Sequence, residues 1–101
     1  MKTPMDVTIR LQGLELEWDD QKASSNVQKH GVTFEEAAEA FFDPFLQMGD
    51  ATVSDEQREF IIGYTFAQRL LLVIYAERGA RTRLISARMA TRAERKIYEE
   101  A

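Results

Sequence analysis

The sequence predicts an α+β domain, in which two N-terminal helices and one C-terminal helix pack on an antiparallel sheet of about four to five strands. Apolar residues alternate near the N-terminus, and two segments with helix-capping signals follow them. The second half of the chain holds three strand-like segments with short links and then a last capping signal. Because 101 residues have room for a single hydrophobic core, we expect one domain over residues 1–101.

The first predicted element is a pair of short strands. Apolar and polar residues alternate from Val7 to Leu11 and again from Leu14 to Trp18, which is the period of a strand with one buried face. The alternation changes phase at Gln12-Gly13, where glycine favours a turn or a bulge. These residues are expected to begin the sheet.

A short polar helix is predicted directly after these strands. Asp19 or Asp20 can serve as its N-cap, because a carboxylate accepts hydrogen bonds from the first free backbone N–H groups of a helix. The helix is expected to run to about Lys29 and to end at Gly31. Glycine readily adopts the left-handed conformation that closes many helices.

Two further helices are predicted to begin at capping boxes. Thr33 and Glu36 lie three residues apart, as do Thr91 and Glu94 near the C-terminus. In a capping box the Thr side chain binds the backbone N–H of the Glu, and the Glu side chain binds that of the Thr. The helix after Thr33 should end at Asp43-Pro44, because the residue before a proline avoids the helical conformation.

The second half of the chain contains three strand-like segments, at residues 58–65, 69–77 and 82–88, after a predicted loop at residues 49–56. Branched and aromatic residues favour strands in these segments. Links of only a few residues are typical of antiparallel neighbours. The middle segment is the most apolar and is therefore expected at the centre of the sheet.

The composition excludes several kinds of protein and site. The chain has no cysteine and one histidine, His30, which excludes disulfides, thiolate nucleophiles and metal sites built from Cys or several His. The longest apolar run, 70–76, is far shorter than the roughly 20 residues of a membrane span. The N-terminus lacks the apolar segment of a secretion signal. We therefore expect a cytoplasmic protein that uses no cofactor, no metal and no membrane.

Charge is unevenly distributed along the chain. Residues 1–57 contain four Lys or Arg and twelve Asp or Glu, whereas residues 58–101 contain nine and five. The basic half is almost purely arginine, whose planar guanidinium suits phosphate and carboxylate groups. This composition fits a polyanion or an acidic protein partner. Solvated charges on a sheet and a helix would account for it equally well.

Several short blocks occur in a specific order: Trp18-Asp19, Lys29-His30-Gly31-Val32, Phe34-Glu35-Glu36-Ala37, Arg69-Leu70-Leu71, Ile85-Ser86-Ala87-Arg88 and Tyr98-Glu99-Glu100. Together they resemble the BrnT family, bacterial ribonuclease toxins of type II toxin–antitoxin systems with a RelE-like fold. The resemblance runs from about Leu14 to the C-terminus and leaves residues 1–13 as an N-terminal extension. One departure is the net charge of −4, since toxins of this fold tend to be basic.

The resemblance implies a metal-independent endoribonuclease that is neutralised by a BrnA-like ribbon-helix-helix antitoxin. Operator DNA would then be bound only through the antitoxin. Cleavage of RNA without a metal needs an acceptor for the 2′-hydroxyl proton, a proton donor for the leaving 5′-oxygen, and cations around the phosphorane. The expected product is a 2′,3′-cyclic phosphate.

Lys29 and His30 are the first candidates for catalysis. They lie at a predicted helix C-terminus, where the helix dipole favours positive charge. A cationic Lys29 would stabilise the phosphate, and a protonated His30 would act as the general acid. The alternative is an ordinary helix stop before Gly31. Lys22 and Asn26 share one face of the same helix and are expected to help fix it.

Arg69 and Arg88 are the second pair of catalytic candidates. Arg69 opens the apolar middle strand, and Arg88 ends the next strand. A hairpin about residues 78–81 would place Arg88 opposite roughly residue 70, at the same end of the sheet as Arg69. Both guanidinium groups could then bind one phosphate. The alternative is that they form salt bridges to Glu59 or to the C-terminal acids.

Arg58, Tyr64 and Arg92 are weaker candidates, for RNA binding. Arg58 should lie at the far end of the sheet from Arg69. Tyr64 could stack on a base, although a strand tyrosine is commonly half-buried packing. Arg92 belongs to a basic helix stripe that would contact RNA or an antitoxin, or would simply be solvated.

Two functions remain open from the sequence. The first is the ribonuclease toxin. The second is a non-catalytic binding module of the same fold that acts with an antitoxin-like DNA-binding partner. The net acidity and the lack of an unambiguous general base favour this second hypothesis.

Overall fold

The computed structural model describes residues 5–101. The first four residues of the predicted extension lie outside this range. In chain order the elements are β1 (Asp6–Leu11), β2 (Leu14–Asp19), α1 (Asp20–His30), α2 (Phe34–Glu39), a 3-10 turn (Ala40–Phe42), β3 (Gln47–Asp50), β4 (Glu59–Tyr64), β5 (Leu70–Arg78), β6 (Arg81–Met89) and α3 (Arg92–Glu99). Over the described range, no helix is long and apolar enough to cross a membrane.

A single sheet of six strands, in the order β1-β2-β6-β5-β4-β3, organises the described residues. All neighbours are antiparallel except β2 and β6, which pair in parallel at Leu16 with Thr82. The α+β class is confirmed, whereas the strand count is higher than the predicted four to five. The strand missed by the sequence is β3, which overlaps the predicted loop. Gly49 weakens the strand signal there, yet its missing side chain makes room for Phe60, whose ring would lie 2.5 Å from an added Cβ.

The N-terminal residues add an edge strand to the sheet. β1 pairs with β2 along its whole length, from Asp6 with Asp19 to Leu11 with Leu14. The turn between them is at Gln12-Gly13, as predicted, and both residues have a positive φ. The described part of the extension therefore covers the edge that β2 would otherwise expose.

The predicted ends of α1 and the start of α3 are confirmed. The carboxylate of Asp19 accepts hydrogen bonds from the backbone N–H groups of Gln21 and Lys22. Gly31 closes α1 in the left-handed conformation, with φ 67°. At α3, Thr91 and Glu94 form the complete capping box.

The capping box predicted for α2 is only half formed. The Thr33 hydroxyl accepts from the backbone N–H of Glu36 at 3.0 Å, as predicted. The carboxylate of Glu36 does not return to Thr33; it binds Arg69 and Thr65 instead. The Glu36 carboxylate therefore binds Arg69, which is distant in the sequence, and does not cap its own helix.

The sheet has two different faces. One face carries the main core under α1 and α2, and we call it the helix-pair face; Leu71 and Val73 of β5 point into this core. The other is the α3 face, where Leu70 and Leu72 of β5 form a smaller core with Tyr98. This separation follows from the alternation of side chains along a strand.

A β-bulge in β6 decides which face each of its later residues occupies. Tyr75 of β5 pairs with Leu84, but Ile74 pairs with Ser86, so that Ile85 is the extra residue. A one-residue shift moves every following side chain to the other face. Beyond the bulge, Arg88 pairs with Leu72 and therefore lies on the α3 face.

Candidate functional site

Arg69 is fixed on the helix-pair face by a bidentate ion pair. Its Nε donates to Glu36 Oε2 at 2.9 Å, and its Nη2 donates to Glu36 Oε1 at 2.6 Å. Nη2 also donates to the Gly31 carbonyl at 3.0 Å, which ties the guanidinium to the C-terminal end of α1. Within residues 5–101, Nη1 has no hydrogen-bond partner, and the side chain is 36% exposed. Two N–H groups are therefore available for a phosphate.

The contact with Gly31 brings Arg69 close to the sequence neighbours Lys29 and His30. Both side chains are exposed on the last turn of α1. Neither forms an ion pair with any other side chain in the described range. The dipole of α1 contributes partial negative charge here, so cations are favoured at this helix end.

A groove of about 170 Å³ runs along the same face of α1, beside β6, and we call it the α1 groove. Its lining residues are Lys22, Ser25, Asn26, Lys29, His30, Ile85 and Ser86. Lys22 was expected to help fix the helix, but its side chain is exposed at this groove. Basic and hydroxyl groups in a groove of this kind suit a phosphate backbone.

Asn26 anchors α1 to the edge of β6. Its Nδ2 donates to the carbonyls of Val32 at 2.9 Å and Ala87 at 2.8 Å, and its Oδ1 accepts from the Ala87 N–H at 3.1 Å. The side chain is buried and copies the paired hydrogen bonds of a neighbouring strand. The expectation that Asn26 helps to fix the helix is confirmed.

Arg88 is on the other face of the sheet. It lies at the same end as Arg69, because Leu70, the first residue of β5, accepts from the Ala90 N–H just after β6. Its Nη1 and Nη2 donate to the two carboxylate oxygens of Glu94, at 2.7 and 2.9 Å. The prediction that Arg69 and Arg88 converge on one phosphate is therefore wrong. The alternative of a salt bridge to a C-terminal acid is correct for Arg88.

None of the three residues predicted to bind RNA shares the face of Arg69 at its end of the sheet; Tyr64, paired with Leu70, lies on the α3 face. Arg58 precedes β4 at the opposite end of the sheet, as expected, and pairs with Glu56. The ring of Tyr64 packs edge-on against Tyr98 at 5.3 Å. Arg92 is exposed on α3. The structure brings none of the three into the α1 groove.

Tyrosine hydroxyls help to hold α3 on the sheet. Tyr98 donates to Asp43 Oδ2 at 2.6 Å, and Arg95 donates to the Tyr64 hydroxyl at 3.1 Å. Burial and the hydrogen bond to Asp43 raise the pKa of Tyr98 to about 12. Tyr64 is thus part of the packing under α3, which is the alternative to base stacking noted from the sequence.

Much of the arginine-rich half is neutralised by the acidic half. Arg83 binds Glu17 at 2.7 Å and Asp6 at 3.4 Å, and Arg81 lies between Glu15 and Glu17. These pairs join β6 to the first two strands. The charge asymmetry of the sequence is therefore explained in large part by ion pairs between the two halves of the chain.

The sequence did not identify Glu36 as a partner of Arg69. The spacing of Thr33 and Glu36 was sufficient to explain Glu36 as a helix cap. In the structure the bond to Arg69 lowers the pKa of the Glu36 carboxyl below its usual value. No three His, Cys, Asp or Glu side chains of residues 5–101 are grouped as a metal site requires.

A family model described as the ribonuclease toxin BrnT of type II toxin–antitoxin systems matches residues 18–94. The chain belongs to the BrnT toxin family. The matched residues include all of α1, both arginine–glutamate pairs and the α1 groove. β1 lies outside the match.

A solved structure supports the BrnT assignment. The crystal structure of the ribonuclease toxin BrnT from Brucella abortus is similar to this chain at 25% sequence identity, with a TM-score of 0.51. The similarity covers 74% of this chain and 94% of the Brucella chain. No curated protein matches the chain in sequence. The family resemblance inferred from the ordered blocks is confirmed.

Proposed function

We propose that this protein is an endoribonuclease of RelE-like fold that cleaves RNA without a metal and acts as the toxin of a type II toxin–antitoxin pair in the cytoplasm. The observation that carries the proposal is the guanidinium of Arg69. It is immobilised by Glu36 and Gly31 while two of its N–H groups remain free, at the end of α1 that carries the exposed Lys29 and His30. Membership of a ribonuclease toxin family supports it independently.

In this proposal each side chain of the site has a separate task. Arg69 donates its free N–H groups to a non-bridging phosphate oxygen, where charge grows in the phosphorane. Lys29 adds positive charge at the same phosphate, and Lys22 binds the RNA backbone further along the α1 groove. A protonated His30 gives its proton to the leaving 5′-oxygen. Arg88 has no contact with this set and is proposed to hold α3.

An RNA cleavage assay in EDTA tests the proposed function. We expect the purified wild type to cut single-stranded RNA in the chelator and to leave 2′,3′-cyclic phosphate ends. Arg69→Ala should slow cleavage by about 100-fold, the usual loss when a donor to a transition-state oxyanion is removed. Arg78→Ala, which removes the same charge from an exposed position at the far hairpin, should cleave like the wild type.

Three results would contradict the proposal. A folded wild type that leaves RNA intact, alone and with ribosomes, would favour the non-catalytic binding module. Activity lost in EDTA and restored by a divalent cation would contradict the metal-free mechanism. Equal losses for Arg69→Ala and Arg78→Ala would mean that only total charge matters.

We further propose that the antitoxin is a BrnA-like ribbon-helix-helix protein that covers the α1 groove and alone contacts operator DNA. The cations of the groove are the same groups that an acidic antitoxin segment would bind, so RNA and antitoxin should compete. The antitoxin complex should therefore protect Arg69 from crosslinking to RNA. Unchanged crosslinking in the complex would place the antitoxin elsewhere.

A further inference from the structure

The surroundings of Glu36 leave one hydrogen-bonding position open. An ionised carboxylate has about four lone-pair sites. Oε2 accepts two bonds, from Arg69 Nε at 2.9 Å and from the Thr65 hydroxyl at 3.0 Å, whereas Oε1 accepts one, from Arg69 Nη2. The side chain is 19% exposed. The hydroxyl group of a bound ligand can therefore donate a hydrogen bond to Oε1.

The helix that carries Glu36 makes no capping hydrogen bond to its carboxylate. At α3 the equivalent Glu94 accepts from the backbone N–H of Thr91 at 2.9 Å and so completes its capping box. At α2 the cap is supplied by the Thr33 hydroxyl alone. Helix capping therefore does not explain why Glu36 points at Arg69.

The open site on Glu36 and the free N–H groups of Arg69 belong to the same ion pair. In RNA the 2′-hydroxyl and the phosphate that it attacks are attached to neighbouring carbons of one ribose. A nucleotide whose phosphate binds Nη1 of Arg69 therefore carries its 2′-hydroxyl to the same ion pair, in which Oε1 of Glu36 is the open proton acceptor. The pair thus combines an anion-binding group and a proton acceptor, the two kinds of group that the reaction requires.

We infer that Glu36 is the general base of the cleavage reaction, an assignment that rests on the proposed ribonuclease function. Glu36 Oε1 takes the proton of the 2′-hydroxyl while O2′ forms a bond to phosphorus. The bond from phosphorus to O5′ breaks, and O5′ takes a proton from His30. The products are a 2′,3′-cyclic phosphate and a 5′-hydroxyl, and exchange of protons with water returns Glu36 and His30 to their starting forms.

Arg69 adjusts the basicity of Glu36 during this step. In the free protein, the bond to Arg69 lowers the pKa of Glu36, so the carboxylate is ionised at neutral pH. As negative charge grows on the phosphate, the guanidinium is shared between two anions. Its hold on Glu36 then weakens, and the proton affinity of the carboxylate rises when the proton is transferred.

The pH dependence of single-turnover cleavage tests the assignment, with a mixed-sequence RNA oligonucleotide in EDTA. We expect Glu36→Gln to cut about 100-fold more slowly than the wild type at neutral pH. The fall in rate that the wild type shows at acid pH should be absent in this variant. Glu36→Asp keeps a carboxylate, so it should be intermediate in rate and keep the acid fall. Glu35→Gln, an exposed neighbour, should match the wild type.

Two measurements distinguish a general base from a residue that only positions Arg69. The first is the affinity for a 2′-O-methyl RNA of the same sequence, which cannot be cleaved. Glu36→Gln should bind it within threefold of the wild type, and a loss of binding as large as the loss of rate would overturn the assignment. The second uses RNA with sulfur in place of the leaving 5′-oxygen, which needs no proton. This substrate should restore the rate of His30→Ala and leave Glu36→Gln slow.

The outcomes separate the two proposals. A wild type that cleaves no RNA overturns the proposed function, and the role of Glu36 with it. A wild type that cleaves RNA while Glu36→Gln stays within threefold at every pH overturns the role of Glu36 alone. If Glu36→Gln does not fold, loss of the acid fall in Glu36→Asp overturns the assignment equally well.

Discussion

The two arginine–glutamate pairs at one end of the sheet are built alike and serve different surroundings. In each, a strand-end arginine binds both oxygens of a glutamate that lies three residues after a helix N-cap threonine. Glu94 is also held by its own helix, whereas Glu36 is held by Thr65. Arg69 is bonded to the Gly31 carbonyl, directly after the exposed Lys29 and His30, whereas Arg88 lies on the α3 face and is bonded to α3 itself. The same kind of ion pair can therefore hold a helix on the sheet or leave donors and acceptors free for a ligand. The neighbouring residues determine which of these two roles it has.

The largest contrast that we expect between the pairs is in RNA cleavage. Arg69→Ala should lower kcat/KM by about 100-fold, because donors at the phosphate are lost. Arg88→Ala should change it by less than about threefold, since Arg88 faces away from the α1 groove, although its fold should be less stable. The check is cleavage by both variants at a temperature well below their melting points. A loss at Arg88→Ala as large as at Arg69→Ala would show that the α3 face takes part in catalysis.

A second contrast concerns how firmly each face holds its helix. Asn26→Ala should lower the free energy of unfolding by about 2 kcal/mol, because it leaves buried backbone groups of β6 without partners. Glu94→Gln should cost about 1 kcal/mol, because a partly exposed ion pair and one cap are weakened. Urea denaturation measures both, with the exposed Ser24→Ala as the control in α1. A larger cost for Glu94→Gln would mean that α3 is the better anchored helix.

The smallest effect that we expect is in the pH dependence of stability. The bonds to Arg69 and Arg88 lower the pKa values of Glu36 and Glu94 below their usual 4.5. A lowered pKa contributes stability that is present above 4.5 and is lost as pH falls through the folded-state values. Each pair should contribute about 1 kcal/mol or less, because both are partly exposed.

The alkaline side of the same titration tests the Tyr98 hydroxyl on the α3 face, in addition to the buried Tyr75 of the main core, whose pKa is also raised. The pKa of Tyr98 is raised from 10.0 to about 12, so its contribution is complete below pH 10 and is lost as pH rises through 12. Tyr98→Phe should reduce the alkaline loss, leaving the part that comes from Tyr75, and Glu36→Gln should reduce the acid loss. Denaturation midpoints between pH 3 and 12 measure both. An alkaline loss that Tyr98→Phe leaves unchanged would contradict the role of the Asp43–Tyr98 bond.

Local signals were sufficient to predict much of the fold. The Asp19 cap, the left-handed Gly31 and the capping box of α3 each depend on residues a few positions apart, and all are present. β3 was missed because a four-residue edge strand containing glycine has little periodicity. The bulge at Ile85 was missed because isoleucine favours a regular strand as much as its neighbours do.

The candidate site was harder to predict, because it depends on contacts between distant residues. Lys29, His30 and Arg69 can each be identified from the sequence. Their proximity cannot, because the bond between Arg69 and the Gly31 carbonyl joins distant residues and has no local signal. The predicted convergence of Arg69 and Arg88 failed because the two residues share an end of the sheet but not a face. Arg88 pairs with Leu72 and so lies on the face of Leu70 and Leu72, whereas Arg69, next to Leu70 in the chain, points to the opposite face. Glu36 was not predicted as a site residue, because the capping box with Thr33 already explained it, and only half of that capping box forms.

The parallel pairing of β2 with β6 has a consequence for the order of folding. Leu16 meets Thr82 in the sheet, and Asn26 meets Ala87 across 61 positions of the chain. Pairings between such distant segments form late, because a long loop of chain must be closed first. A partly folded chain that has formed only its local helices and hairpins therefore lacks the α1 groove, whose two walls come from the two ends of this loop.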